Sequence, residues 1–334
     1  MKQPYIDLAP TYLPNSLASR YQGDGFSAHR ADFAAEDVPM LEQLYYKTKS
    51  VYDVWLYMKD SPNYSLFKDN VEELASQEVR HLLQDFGKAS YAKLEPQGGI
   101  SDGFRQVIHD LRGGAMAALV GYAQYIQSEH AFDDSELMRS FVFLSRDQAK
   151  MMRNAVEDLD PLTRAADERF NVHSVRDYVQ KWDKVSYERE GKPVNVDVDC
   201  SYEGNISTSC LEASAIDRVL YNYMNNAIDH SNNGKVKLTI FLVGDMVRWV
   251  VENTIDDAHN AWLEHNVADD YSQLFQSSLS SHAQGSHHGV GLKSCANLVA
   301  ASAGLGPEDA LMQGYLGATV INKVFYAWFH WPRC

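Results

Sequence analysis

Cysteine is scarce: four in 334 residues, Cys200, Cys210, Cys295 and Cys334. Their spacings are neither the close pairing of a zinc site nor a secreted disulfide framework, so reduced thiols are expected. No uninterrupted apolar run approaches the roughly eighteen residues a membrane-crossing helix needs. The opening MKQPYIDLAPTYLP lacks the apolar core of a signal peptide. A cytoplasmic protein with no membrane span is the expectation. Basic residues are outnumbered, 30 Lys and Arg against 45 Asp and Glu, for a formal net charge of −15. That balance argues against general nucleic-acid binding, which needs a basic face. No internal repeat is present.

What is there is enough for several cores. The chain is 45% hydrophobic, and its length allows two or three domains. In a first zone, residues 1–95, LEQLYYKTKSVYDVWLYMKD and LFKDNVEELASQEVRHLLQDF each space their apolar residues as amphipathic helices, with Ser61-Pro62-Asn63 as a stop and the stretch from Glu95 to Gly103 as a joint. In a second zone, 96–164, Phe104, Ile108, Leu111, Ala115, Leu119, Tyr122 and Ile126 share one helical face, and Leu137, Phe141, Leu144, Met151, Ala155 and Leu159 share another. Two such helices with a short connection make an antiparallel hairpin. Its apolar stripes would be buried if two copies formed a four-helix bundle, so a homodimer is expected. In a third zone, 165–334, GKVKLTIFLVG, DMVRWVVENT and GATVINKVFYAWFHWP read as strands, while AIDRVLYNYMNNAIDHS and VGLKSCANLVAASAG read as helices. The fold class expected is multidomain, α followed by α+β.

His109 stands out on the second zone's first helix, in VIHDLRGG. A neutral imidazole is a competent nucleophile, and an adjacent carboxylate can hold one ring nitrogen as N–H so that the other presents its lone pair. Asp110 supplies that carboxylate. The bland alternative is a surface or satisfied core histidine. In YNYMNNA, Asn222 and Asn226 are four apart and share a helix face, where a carboxamide oxygen can take a magnesium ion that bridges nucleotide phosphates. Alternatively they are only polar residues near a helix end. Gly289 and Gly291 open a helix, where backbone N–H groups can approach phosphate oxygens. The preceding stretch, Ser277 to His288, suits a mobile lid; its His282, His287 and His288 are read as solvated loop residues before a metal site.

Together these segments resemble bacterial two-component sensor histidine kinases, from about Gly103 to Pro332. HDLRGGAMAALVGYAQYI resembles the phosphoacceptor box, RVLYNYMNNAIDHS the asparagine box, VVENTI the position of the first glycine box, and LFQSSLSSH with GSHHGVGLKSCANLV the lid and second glycine box. The resemblance implies a dimerising phosphotransfer hairpin over 96–164 and a C-terminal α/β-sandwich ATP-binding domain over 165–334. It implies His109 as phosphoacceptor, Asn226 as magnesium ligand supported by Asn222, and His230 facing phosphate or ribose. Mg-ATP is then the phosphoryl source and a response-regulator receiver domain the partner. Residues 1–95 match no sensor; they are read as a helical input region for an upstream sensor protein, or as a buttress to the bundle.

Two departures bear on that reading. Asn253 stands where most of the family has an aspartate that accepts from the adenine amino group, and no glycine follows it in ENTIDDAHN. Such an asparagine, followed by a serine-rich lid, is similar to the branch containing peptide-sensing quorum kinases. Gly113 stands where the family often has Asn or Thr to orient a hydrolytic water, and consecutive glycines favour a bend just below His109. A second function class stays open: a histidine phosphotransfer or scaffold protein whose ATP-binding domain has decayed.

Overall fold

The computed structural model describes residues 3–13, 21, 23, 27–58, 64–94, 101–113, 115–189, 192–268, 270–276 and 290–334. The chain divides into two compact units, Gly25–Glu168 and a second made of Met1–Asp24 with Arg169–Cys334. A short helix, α1 (Gln3–Ile6), opens the chain. It is followed in the first unit by α2 (Asp37–Tyr57), α3 (Lys68–Ala75), α4 (Gln77–Asp85), α5 (Lys88–Leu94), α6 (Asp102–Arg112), α7 (Ala115–Ser128), α8 (Ser135–Ala155) and α9 (Pro161–Asp167). No helix among the described residues is long and apolar enough to cross a membrane.

The helical unit is a bundle closed within one chain. Helices α7 and α8 form the expected hairpin, started by Asp134, whose carboxylate accepts from the Glu136 and Leu137 amides at the head of α8. Helix α2 lies along α8 and α3 along α7. Leu41, Leu44 and Val51 of α2, Val71 and Leu74 of α3, Leu119 and Ile126 of α7 and Phe141 of α8 have no exposed surface. Burying a side chain of this size contributes about 1.5–3 kcal/mol, so the contacts between α2, α3 and the hairpin stabilise the unit substantially. Within one chain, α2 and α3 already cover part of the hairpin's apolar stripes.

Two helices expected to be continuous are broken. Residues 66–86 divide at Ser76, which adopts extended backbone and caps α4 by accepting from the Val79 amide. Residues 104–126 divide between α6 and α7 at Gly113, whose N–H donates to the His109 carbonyl at 2.7 Å.

The second unit continues with β1 (Phe170–Ser174), α10 (Val175–Trp182), β2 (Ser186–Arg189), β3 (Lys192–Cys200), β4 (Asn205–Ser209) and α11 (Cys210–Asp229). Then come β5 (Lys235–Val243), β6 (Met246–Thr254), α12 (Asp257–Asn266), α13 (Gln273–Gln276), α14 (Val290–Ala303), α15 (Pro307–Met312), β7 (Leu316–Ile321) and β8 (Val324–Pro332). The main sheet runs β2-β3-β5-β6-β8-β7, with β3 and β5 parallel and every other pair antiparallel; β1 and β4 form a separate ribbon. Alternation along β6 sends Trp249 towards the helices, against Tyr178 of α10 and Phe329 of β8. Tyr223 of α11 packs edge-on against the same Phe329. This is the expected α/β sandwich.

The opposite face carries Phe241, Val250 and Trp328, and the N-terminal segment covers it through Tyr5, Ile6, Leu8 and Ala9. Arg248, wholly buried, anchors that segment. Its guanidinium donates to the carbonyls of Tyr5, Ile6, Ala9 and Pro10, and its Nε to His330 Nε2 at 2.7 Å. The zones drawn at 1–95, 96–164 and 165–334 therefore differ from the observed units. Residues 3–13 belong to the sheet unit because Arg248 holds them there, and the helices over 37–94 share one core with the hairpin.

Candidate phosphoacceptor and nucleotide-binding sites

His109 lies on α6 of the helical unit. Ser101 caps α6 by accepting from the Phe104 amide at 3.2 Å. One face of the helix then buries Phe104, Ile108 and Leu111, with Phe104 tilted against Phe33 at a centroid distance of 4.9 Å. His109 falls at the margin of that face, with its side chain 19% exposed, and its Nδ1 lies 3.3 Å from Oδ1 of buried Asp110. The main chain there is fixed by Gln148 of α8, whose amide donates to the carbonyls of Asp110 and Leu111. An ionised Asp110 accepts a hydrogen from Nδ1, which leaves the lone pair on Nε2.

The helix stops immediately below. A Cβ on Gly113 would come within 2.9 Å of the His109 carbonyl oxygen and within 3.9 Å of Nε2. The missing side chain thus permits the break and leaves that flank of the ring uncrowded. Two cations were not singled out from the sequence. Arg105 and Arg112 lie four residues before and three after His109, the spacing that shares a helix face, and both act electrostatically on Tyr91 of α5. Their spacing was the available signal.

In the sheet unit, α11 presents Asn226 to solvent while Asn222 is buried, its amide donating to the Arg218 carbonyl at 2.8 Å. The two asparagines therefore do not stand together on an open helix face as their spacing suggested. One is available to a ligand, and the other spends its N–H on its own helix. His230, at the C-terminal cap of α11, stacks on His259 of α12 with centroids 4.0 Å apart; Trp262 continues the stack at 6.0 Å from His259. His259 and Trp262 also escaped the sequence reading, since a stack between two helices has no local pattern.

Asn253 lies on β6 between Val236 and Phe325, with odd-numbered Trp249 and hence on the helix-facing side of the sheet. It is 4% exposed, and its Nδ2 is buried with no hydrogen-bond partner among the described residues. Buried donors are nearly always paired, so an acceptor from a ligand fits here. A purine offers one, as an adenine ring nitrogen or guanine O6. No cluster of three His, Cys, Asp or Glu side chains gathers among the described residues. A magnesium ion held by one carboxamide, phosphate oxygens and water needs none, and exposed Asn226 fits that role. Gly291 is in the first turn of α14. Gly289, His282, His287, His288 and the expected lid lie outside the described residues.

No family model matches the chain, and no curated protein matches it. Several solved structures overlap it at low identity. Full-length ShkA in complex with AMPPNP is 17% identical over 59% of this chain and 39% of its own, with a TM-score of 0.34. The histidine kinase AdeS of Acinetobacter baumannii is 17% identical over 67% of this chain and 97% of its own, at 0.31. A histidine kinase from Burkholderia phymatum is 10% identical over 68% and 94%, at 0.29. This chain thus spans well under half of ShkA. At such scores the overlaps carry no argument, and function has to be read from the side chains.

Proposed function

We propose that this chain is a cytoplasmic ATP-dependent protein histidine kinase that phosphorylates His109 and passes the phosphoryl group to an aspartate of a response-regulator receiver domain. The observation that carries the reading is the His109–Asp110 pair on a helix that ends one turn later, with Nε2 left as the nucleophilic atom. In the transfer, the Nε2 lone pair forms a bond to the γ-phosphorus of ATP. The bond from that phosphorus to the β–γ bridging oxygen breaks, and its electron pair leaves on ADP. Asp110 holds the proton at Nδ1 and offsets the charge that develops on the ring. Arg105 and Arg112 attract the incoming phosphoryl oxygens. Asn226 would hold a magnesium ion, which would supply neutralisation of phosphate charge. Asn253 contacts the base, the His230–His259 stack lines the phosphate or ribose, and Gly291 brings a backbone N–H group to the phosphates.

Incubation with labelled Mg-ATP and no partner tests this. The expected label is acid-labile and base-stable, absent in His109→Ala, whose nucleotide affinity is unchanged, and strongly reduced in Asn226→Ala, whose nucleotide binding is weakened. Label persisting in His109→Ala would refute the acceptor. An unlabelled wild type that still accepts phosphate from a phosphorylated regulator would move the phosphotransfer reading ahead.

A further inference from the structure

The β1–β4 ribbon of the sheet unit holds a cysteine that phosphoryl transfer does not use. Cys210 is the first residue of α11, set there by Ser209, whose hydroxyl accepts from the Glu212 amide at 3.1 Å. Its Sγ lies 3.4 Å from Nε2 of His173 on β1, and Nδ2 of Asn171 donates to the same sulfur at 3.4 Å. Asn171 and His173 are two apart on a strand and so share a face. The ladder to β4 is irregular on both sides of His173, the kind of break that re-aims a side chain.

Cys210 is half-buried and Asn171 is exposed, so the sulfur is within reach from solvent. Ser207 pairs with His173 across the ribbon, which puts both side chains on one face. Its hydroxyl is wholly buried without a partner among the described residues. Buried hydroxyls are nearly always paired, so a hydrogen-bond acceptor from outside the chain fits beside the sulfur. We propose that Cys210 is a thiol–disulfide exchange site, with His173 as its base, for a small disulfide that carries amide and carboxylate oxygens. His173 Nε2 takes the thiol proton as Sγ attacks one sulfur of the disulfide. A new S–S bond forms to Cys210 while the reagent's own S–S bond breaks. The departing sulfur leaves with that electron pair and receives the proton from His173. The Cys210 sulfur is oxidised and the departing sulfur is reduced, so the disulfide is the only oxidant required. Asn171 orients the attacking sulfur through its N–H.

The experiment exposes the full chain, its thiols reduced, to glutathione disulfide at neutral pH and reads each cysteine over time by peptide mass spectrometry. Cys210 is expected to gain the mixed disulfide ahead of Cys334, although Cys334 is the more exposed. Accessibility by itself predicts the opposite order. Buried Cys295 stays unmodified and reports that the sheet unit is folded. His173→Gln keeps hydrogen-bonding groups at the position but cannot take up the proton. It is expected to slow Cys210 by about a hundredfold while Cys334 reacts at its former rate. Cys334 reacting first, or His173→Gln leaving the rate of Cys210 unchanged, would overturn the proposal. If His173→Gln opens Cys295 to the reagent and is therefore unfolded, the order of reaction in wild type decides alone.

Discussion

The helical unit and the sheet unit each have a face that their central elements leave open, and each closes it with chain that comes earlier in the sequence, by opposite physics. In the helical unit the cover is apolar: Leu41, Leu44 and Val51 of α2 are wholly buried beside the hairpin. In the sheet unit the cover is held from below by a charge. Arg248 is buried without a carboxylate partner among the described residues and spends its N–H groups on four backbone carbonyls and His330. Apolar cover is non-directional, tolerates sliding, and loses stability in proportion to the area removed. A guanidinium fork is directional, so its loss strands several buried acceptors together.

The largest effect is therefore expected from Arg248→Met. It leaves the carbonyls of Tyr5, Ile6, Ala9 and Pro10 without their donor, and should cost the sheet unit about 3–5 kcal/mol, the range for breaking a buried charged network. Hydrogen exchange is the check. Residues 3–13 and the outer face of β5, β6 and β8 should lose protection while α2, α7 and α8 keep theirs. Equal loss in both units would mean that the clamp is not specific to the sheet.

The mirror experiment is Leu44→Ala in α2. Removing a fully buried leucine side chain is expected to cost about 2–5 kcal/mol, confined to the helical unit, with nucleotide affinity of the sheet unit unaltered. A shift below 1 kcal/mol, read from chemical denaturation, would show that α2 is a loose cover.

These two covers also separate what could be read in the sequence from what could not. The α2 stripe, the α7–α8 hairpin and the strand pair β5–β6 were visible because an apolar period of 3.6 or 2 is written into side-chain types. What α2 packs against was not visible, because a stripe specifies that it needs cover and leaves open whose chain provides it. The Arg248 clamp had no signature at all: its partners are main-chain oxygens, which every residue carries. At the sites, His109 with Asp110 could be read because the two are adjacent. The divergence of Asn222 from Asn226 could not, since a helical spacing of four does not say which amide will turn back to its own backbone. The break at Ser76 was missed although serine at a helix start is a known cap, because the apolar period continues across it.

Acid should sharpen the contrast further. Burial, with the Arg248 charge beside it, pushes the His330 imidazole down to about 3. Below the ordinary histidine value of about 6.5 the unfolded chain takes up a proton that the folded unit refuses. This contribution to stability is complete above about 6.5 and is lost as pH falls towards 3, with a slope of about 1.4 kcal/mol per pH unit. His330→Gln keeps a donor and an acceptor but does not titrate. Its sheet unit should show a shallower acid slope than wild type, and an identical slope would remove His330 from the account.

The smallest expected effect lies in a polar group on the sheet's helical face, the side-chain amide of Asn253. Asn253 Nδ2 is buried and unpaired among the described residues. An aspartate in its place could only accept, which suits the adenine amino group and opposes guanine, whose O6 carries lone pairs. A carboxamide offers an acceptor and a donor. It can accept from adenine N6–H while donating to a ring nitrogen, or turn over and donate to guanine O6, so wild type should discriminate weakly between ATP and GTP. One uncharged hydrogen bond nets about 0.5–1.5 kcal/mol, and an unpaired buried group costs about 1–3 kcal/mol. Asn253→Asp should therefore raise the ATP-to-GTP affinity ratio roughly ten- to a hundredfold. It also places a carboxylate in a buried position, so a lower melting temperature without nucleotide should accompany the gain in selectivity. Calorimetric titration of both nucleotides into both proteins decides the matter. If the ratio does not move while the melting temperature falls, Asn253 is buried beside the site without reading the base, and its orphaned amide needs another acceptor.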